Sequence, residues 1–330
     1  MFIAEVGVNH NGKLENALKY VDLCKELGIE NIKFQTYKTE NLVNKKANLA
    51  PYQKNNVEES LFVMLKKYEL SYSEFETIKK YCDKNKINFI SSPFDNESLN
   101  FLTSLGVSHI KIPSGEINNY FLLDEVSKLN KKIILSTGMS TLKEVEESIK
   151  VLTKRKLSKS KITILHCSSS YPASYENLNL RAIKTLKYKF NTEVGFSDHT
   201  IGYEALISAM SLGATVIEKH ITLNNHWRGP DHKASLNPIK LKEYFNIYKT
   251  TQIALGDGIK TVNKEERINI KYSRKSIHAK TQINKGELFS KKNLTSLRPG
   301  SGISPMKVSN LIGKKANRNY SAGEIIDLNQ

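Results

Sequence analysis

Eight short runs of β-branched and apolar residues recur between longer helix-patterned stretches over the first 260 or so residues, and this alternation leaves few folds open. The runs are FIAEVGV from Phe2, IKFQT from Ile32, INFISS from Ile87, HIKIPS from His109, KIILST from Lys132, ITILHC from Ile162, EVGFSD from Glu193 and TVIEKH from Thr215. Strands that alternate with helices build a parallel sheet. Eight such units closing on themselves predict an α/β TIM (β/α)8 barrel over residues 1–260. The longest interruption, Val43 to Glu69, is a βα insertion expected to lie over the active-site face.

Beyond the barrel the pattern changes. A polar stretch over 261–271 reads as a linker, and 272–330 carries short strands and Gly turns with few long apolar helices. This is a separate β-rich module, of a size that is marginal alone. Lys285-Gly286 and Ala322-Gly323 each precede a Glu and an apolar strand, the trace of a weak internal repeat.

Bulk properties narrow the function. A net charge of +17 invites a nucleic-acid partner. The excess, however, is mostly lysine scattered along helical faces, as at Lys79-Lys80 and Lys131-Lys132, with no arginine interleaved among aromatics. That pattern is a solvated surface, so no nucleic-acid binding is expected; its field would gather an anionic substrate. Cys24, Cys82 and Cys167 are odd in number and lack CxxC spacing, which suits reduced thiols and a cytoplasmic location. The start FIAEVGV is too short and too uncharged for a signal peptide. No apolar run approaches the roughly 18 residues of a membrane span, so no membrane partner is expected.

In a barrel, polar residues at the carboxyl ends of strands read as binding or catalytic groups. Here every strand supplies one: Glu5; Lys33 and Gln35; Ser91 and Ser92; Lys111, Ser114 and Glu116; Ser136 and Thr137; His166; Ser197, Asp198 and His199; and His220. GFSDHT and EKHITL each place a histidine just after a strand, one βα unit apart. Imidazole is the commonest ligand for divalent transition metals, so His199 and His220 form a candidate catalytic metal pair with positions left open for substrate. Lys33 and Lys111, set among Ser92, Ser114, Ser136 and Ser197, make two fixed cations in a cage of hydroxyl donors, suited to a small molecule with a carboxylate and a phosphate. Glu5 and Glu116 read as sugar contacts, as bases, or as partners of those lysines. Asp231 follows a Gly-Pro turn in WRGPDHKAS, which reads either as a fixed carboxylate for polyol hydroxyls or as an ordinary turn. His10 reads as a loop-shaping residue or a substrate contact, and His166 as a group that orients a neighbour. His226 and His278 look like surface histidines.

Together AEVGVNHNG, IKFQT, SSPFD, IKIPSGEINN, ILSTGMS, LHCSSSYP, GFSDHT, EKHITL, GPDHKASL and RPGSGISP resemble, in order and over the whole chain, the bacterial sialic acid synthase family. These are the nonulosonate synthases, which include N-acetylneuraminate and legionaminic acid synthases. The resemblance implies a TIM barrel followed by a small SAF domain, similar to type III antifreeze proteins. It implies condensation of phosphoenolpyruvate with an open-chain N-acylated mannosamine-type sugar, giving phosphate and a nine-carbon 2-keto acid for surface polysaccharide. A divalent metal is implied, manganese first, with magnesium or cobalt as alternatives. By position, His199 and His220 match the metal ligands. Lys33, Ser92, Lys111, Ser114 and Ser197 match the phosphoenolpyruvate site, with Lys33, Lys111 and Glu116 as the catalytic set. Glu5, Gln35, Glu116, Tyr171 and Asp231 match sugar or metal-water contacts. A domain-swapped homodimer is implied, in which Arg298 reaches the sugar's N-acyl group in the partner's barrel. Two departures stand out: SSPF replaces the STPF of some members, and Ser169 stands where some carry asparagine.

The leading expectation is an N-acetylneuraminate synthase. The alternative is a legionaminic acid synthase acting on 2,4-diacetamido-2,4,6-trideoxymannose. A non-catalytic glycan- or ice-binding protein is the different-class alternative, and the convergent polar strand ends argue against it.

Overall fold

Period-two alternation in the eight runs sends one set of side chains inward and the other toward the helices. The computed structural model describes residues 1–47 and 60–327, which divide into two units, Met1–Gly256 and Asp257–Gln330. In the first unit β1 (Phe2–Gly7), β2 (Asn31–Thr36), β3 (Asn88–Pro93), β4 (His109–Ile112), β5 (Lys132–Ser136), β6 (Ile162–Cys167), β7 (Glu193–Asp198) and β8 (Val216–His220) pair in parallel and close into a barrel. The first unit is the expected α/β TIM barrel, and the second is a small unit with strands of its own.

Helices α1 (Leu14–Leu27), α2 (Thr39–Leu42), α3 (Leu61–Tyr68), α4 (Tyr72–Lys84), α5 (Asn96–Ser104), α6 (Tyr120–Ser127), α7 (Leu142–Leu152), α8 (Ala182–Phe190), α9 (Glu204–Ser211) and α10 (Pro238–Leu255) connect or flank the strands. Their starts are written locally. Ser71 with Glu74 and Thr141 with Glu144 form capping boxes on α4 and α7, while Asn237 followed by Pro238 opens α10.

Inside the barrel, Ile3, Ile90, Ile134, Leu165 and Val216 close the floor as a separate apolar cluster. Two residues further along those strands stand Glu5, Ser92, Ser136, Cys167 and Glu218. The barrel interior therefore turns from oil to charge in one step of the pleat. Gly195 has a packing reason: a Cβ there would sit 2.4 Å from the Val216 carbonyl and 2.5 Å from Leu165 Cδ2. The outward set, including Phe34, Phe89, Ile110, Ile133, Ile164, Phe196 and Ile217, forms the main core beneath the helices.

In the insertion after β2, α3 packs Met64 and Tyr68 against Val8 and Tyr37. Residues 48–59 of that insertion lie outside the described residues. The stretch 261–271, expected as a linker, instead carries most of α11 (Lys264–Ser273), capped by Asn263 with Glu266 and belonging to the second unit.

In the second unit β9 (Ser276–Ala279) and β10 (Leu294–Leu297) pair antiparallel, and a core of Ile277, Ile283, Phe289, Leu294, Leu311, Tyr320 and Ile326 lies among them. The suspected repeat is physical. At Asn284–Glu287 and again at Ser321–Glu324 the first residue's N–H donates to the Glu carboxylate, at 3.1 and 2.8 Å. Gly286 and Gly323 take φ of 89° and 84° in these turns. One histidine reading is corrected: His278 is 2% exposed, not a surface residue, because it lies on β9 with Nδ1 2.9 Å from the Ser276 carbonyl. His226 is exposed.

Candidate active site

A cavity of about 280 Å3 opens at the carboxyl ends of the strands. Glu5, Lys33, Gln35, Lys111, Ser114, Ser136, Tyr171, Ser197, His199, Glu218, His220 and Asp231 line its polar part. A larger cleft of about 740 Å3 lies between the loops that follow β5 and β6. It shares Met139, Cys167 and Ser169 with the first but has neither lysine nor a histidine pair. The paired lysines and histidines singled out from the sequence gather in the smaller cavity.

At its floor two cations meet two anions. Lys33 Nζ is 2.8 Å from Glu5 Oε2 and 3.7 Å from Glu218 Oε2, and Lys111 Nζ is 3.5 Å from Glu218 Oε1. Ser197 Oγ donates to Glu218 Oε1 at 2.9 Å. All four charged groups are buried. Burial works against every one of these charges. It raises the Glu5 carboxyl despite Lys33, whereas Lys111 and Lys33 together hold Glu218 below the usual carboxylate range. Burial lowers Lys111, and for Lys33 the two glutamates outweigh it. A cluster of this kind is a poor way to stabilise a core, since removing ions from water costs several kcal/mol each. It suits a site built for an anion.

Above the floor, His199 and His220 have ring centroids 5.5 Å apart, and Tyr171 lies 4.2 Å from His199 and 5.7 Å from His220 by the same measure. His199 Nδ1 donates to the Ser168 carbonyl at 2.6 Å, which leaves Nε2 with its lone pair, 3.3 Å from Ser197 Oγ. Burial lowers His199 to about 4 and His220 well below its ordinary value, so both rings are neutral near pH 7. His220 Nδ1 is buried without a hydrogen-bond partner among the described residues. Neutral rings, a free lone pair and an orphaned buried nitrogen fit a divalent cation. No group of three or more His, Cys, Asp or Glu is placed to hold a metal among the described residues. A metal held here would thus have two protein nitrogens and its other positions open to water or substrate.

Gly7 fits the same picture. Its φ is 56°, and a Cβ there would meet Gln35 Nε2 and Glu5 Oε1 at 3.3 Å and His220 Cε1 at 3.6 Å. Gln35 Nε2 donates to Glu5 Oε1 at 3.4 Å. Ser114 is fixed by the Gly138 N–H at 3.0 Å and lies 3.2 Å from Cys167 Sγ. Asp231 is partly buried, and burial raises its carboxyl to about 6.

Three nominated residues stand apart from the lining. Ser92 is fully buried beside Gln35 in register, and its Oγ has no partner among the described residues. Glu116 sits on the 3-10 turn Ser114–Glu116, accepts from Asn119 Nδ2 at 2.6 Å, and is raised by burial. Arg298 belongs to the second unit, before Pro299. His10 is a loop-shaping residue: its Nδ1 accepts from the Gly12 N–H at 3.1 Å. His166 Nε2 lies 2.6 Å from the Leu178 carbonyl, tying down the loop after β6.

Glu218 is the site residue that reading by motif overlooked. It stands two residues before His220 on β8, so alternation puts both on one face. The other omission is an apolar wall of Val8, Met64, Leu65 and Phe94, which depends on where the insertion folds back.

Residues 20–260 match the NeuB family and residues 274–330 the SAF domain. The N,N'-diacetyllegionaminic acid synthase of Campylobacter jejuni is 46% identical, over 99% of this chain and 98% of that protein. The enzyme of the same name from Legionella pneumophila is 42% identical, over 97% and 91%. Among solved structures, an N-acetylneuraminic acid synthetase from Leptospira borgpetersenii, in complex with citrate, superposes with a TM-score of 0.73 at 33% identity, covering 82% of this chain and 89% of that one.

Proposed function

This chain belongs to the NeuB family of nonulosonic acid synthases, and from that footing we propose that it condenses phosphoenolpyruvate with 2,4-diacetamido-2,4,6-trideoxymannose to form N,N'-diacetyllegionaminic acid. The observation that carries the phosphoenolpyruvate half is the buried Lys33–Glu5–Glu218–Lys111 floor. Two features support the sugar half over N-acetylmannosamine. The relatives of 46% and 42% identity make the diacetamido product by name, whereas the sialic-type structure is 33% identical. Also, Val8, Met64, Leu65 and Phe94 face the cavity, offering apolar contact to a 6-methyl group and leaving a 6-hydroxyl unpaired.

In this reading the phosphate and carboxylate of phosphoenolpyruvate settle on Lys33 and Lys111, with Ser114 donating a hydrogen bond and Ser197 turning its hydroxyl from Glu218 to donate another. His199 and His220 would hold a divalent metal, manganese first, which would supply Lewis-acid polarisation of the sugar aldehyde. Gln35, Tyr171 and Asp231 orient the open sugar, so that its carbonyl carbon meets the third carbon of phosphoenolpyruvate. A carbon–carbon bond forms, and positive charge develops at the second carbon. Water adds there and loses a proton; Glu116, the base expected from the sequence, stands outside the cavity lining, whereas Glu5 lines it and is raised by burial to about 7, which suits proton exchange. As the bond from that carbon to the bridging oxygen breaks, its new hydroxyl gives up its proton and becomes the keto group, the former aldehyde oxygen takes up a proton, and phosphate leaves against the lysines. Arg298 of a second copy serves the N-acyl end, so the working unit is a homodimer.

The test is incubation of the protein with phosphoenolpyruvate, Mn2+ and the diacetamido sugar, followed by mass spectrometry. The expected product is a nine-carbon keto acid retaining both acetamido groups. A product formed only with N-acetylmannosamine would return the assignment to N-acetylneuraminate synthase. His199→Ala is expected to abolish metal-dependent turnover, and near-normal rates would contradict the metal role.

A further inference from the structure

We infer that Asp198, Lys219 and Tyr244 form a buried lock on the outer side of the barrel that sets the positions of His199 and His220 and thereby the site's affinity for its metal; the inference rests on the metal-pair reading above. The three are positioning residues. Asp198 and Lys219 are paired in register across β7 and β8. Each is followed directly by one histidine of the pair. Whatever fixes Asp198 to Lys219 therefore fixes the main-chain stems of both rings at once.

Every group of the lock is buried. Lys219 Nζ lies 3.0 Å from Asp198 Oδ2 and donates to the Thr200 carbonyl at 2.5 Å. Tyr244 on α10 donates to the same Asp198 oxygen at 2.5 Å. Asp198 Oδ1 accepts from the Thr200 N–H at 2.8 Å and from its hydroxyl at 2.7 Å. Asp198 and Thr200 are 0% exposed, Lys219 1% and Tyr244 2%. His199 is thus gripped on both sides along the chain, while the Ala173 N–H holds its carbonyl at 2.8 Å.

The placement is costly for packing alone. Other outward residues of these strands, Val194, Phe196 and Ile217, are apolar and belong to the main core. Replacing a buried ion pair by apolar residues of similar volume is often neutral or stabilising. A charged pair in this register is poorly explained by stability, but it gives directional, saturated bonds at the roots of two ligands. Removing groups that orient metal ligands typically weakens metal binding about 10- to 100-fold.

The experiment is Mn2+ titration of the metal-free full-length protein, by calorimetry and by the electron paramagnetic resonance signal of free Mn2+, alongside the melting temperature of each metal-free chain. The variants are Asp198→Leu with Lys219→Met, which swaps the pair for apolar bulk, and Tyr244→Phe, which keeps the ring and removes one bond. The double variant is expected to bind Mn2+ about 10- to 100-fold more weakly while melting close to the wild type. Tyr244→Phe is expected to lose about fivefold, as for one hydrogen bond. Wild-type affinity in both variants would overturn the lock alone. A wild-type chain that takes up no Mn2+ would overturn the metal reading and the lock together. A double variant that melts far below wild type moves the decision to Tyr244→Phe, where unchanged affinity overturns the lock.

Discussion

Glu218 carries the most at the scale of single residues, because among the described residues it alone lies within 4 Å of both lysines of the floor. Glu218→Gln leaves Lys33 and Lys111 to share Glu5. Breaking a buried pair by removing one partner costs about 3 kcal/mol or more, so denaturant unfolding should show a loss of that order. Phosphate release should fall by about 100-fold as the lysines relax from position. Wild-type stability in this variant would contradict the charge balance described. Asp231 makes a prediction in pH. Its carboxyl is raised by burial from 3.8 to about 6 in the folded state. The folded chain keeps this proton where the unfolded chain has lost it. Stability from this group is therefore full below pH 3.8 and drains away as pH rises through about 6. Unfolding midpoints across that window should decline less steeply for Asp231→Asn than for the wild type; identical slopes would contradict the shift.

At the scale of elements, the barrel needs glycine where strands meet closely. Gly195→Ala would drive a Cβ to 2.4 Å from a backbone oxygen of β8. Overpacking typically costs about 1–3 kcal/mol, so a clear drop in melting temperature is expected, and an unchanged one would mean that β7 and β8 pack less tightly than described. The strands were legible because period-two alternation is written into each run, and the strand ends follow from it. Glu218 was just as legible in principle, since the parity that turns His220 inward turns Glu218 inward too; a motif centred on histidine hid it. His278 was misjudged because SIHAK looks polar, although alternation on a short strand buries a half-polar ring with one hydrogen bond. The helix α11 lay in a stretch read as linker, despite the Asn263–Glu266 capping signal. The Met64–Leu65 wall could not be read at all, because no local pattern says where an insertion folds back.

At the scale of the whole molecule, the chain joins a catalytic barrel to a small domain with its own core. The three cysteines are unpaired and buried. No helix among the described residues is long and apolar enough to cross a membrane. The small domain carries Arg298, and the proposed shared site would give that residue its use. Mixing a His199→Ala chain with an Arg298→Ala chain is expected to restore activity in the hetero-dimer, since one of its two sites would be intact. Absence of rescue in proven hetero-dimers would argue for self-contained subunits.

The most direct test of the central claim is the rate of phosphate release from phosphoenolpyruvate with Mn2+, compared between 2,4-diacetamido-2,4,6-trideoxymannose and N-acetylmannosamine. Release that requires a sugar, with kcat/KM at least about tenfold higher for the diacetamido substrate, is the predicted result. Equal or faster release with N-acetylmannosamine would contradict the assigned specificity, and no release with either sugar would contradict the proposed chemistry.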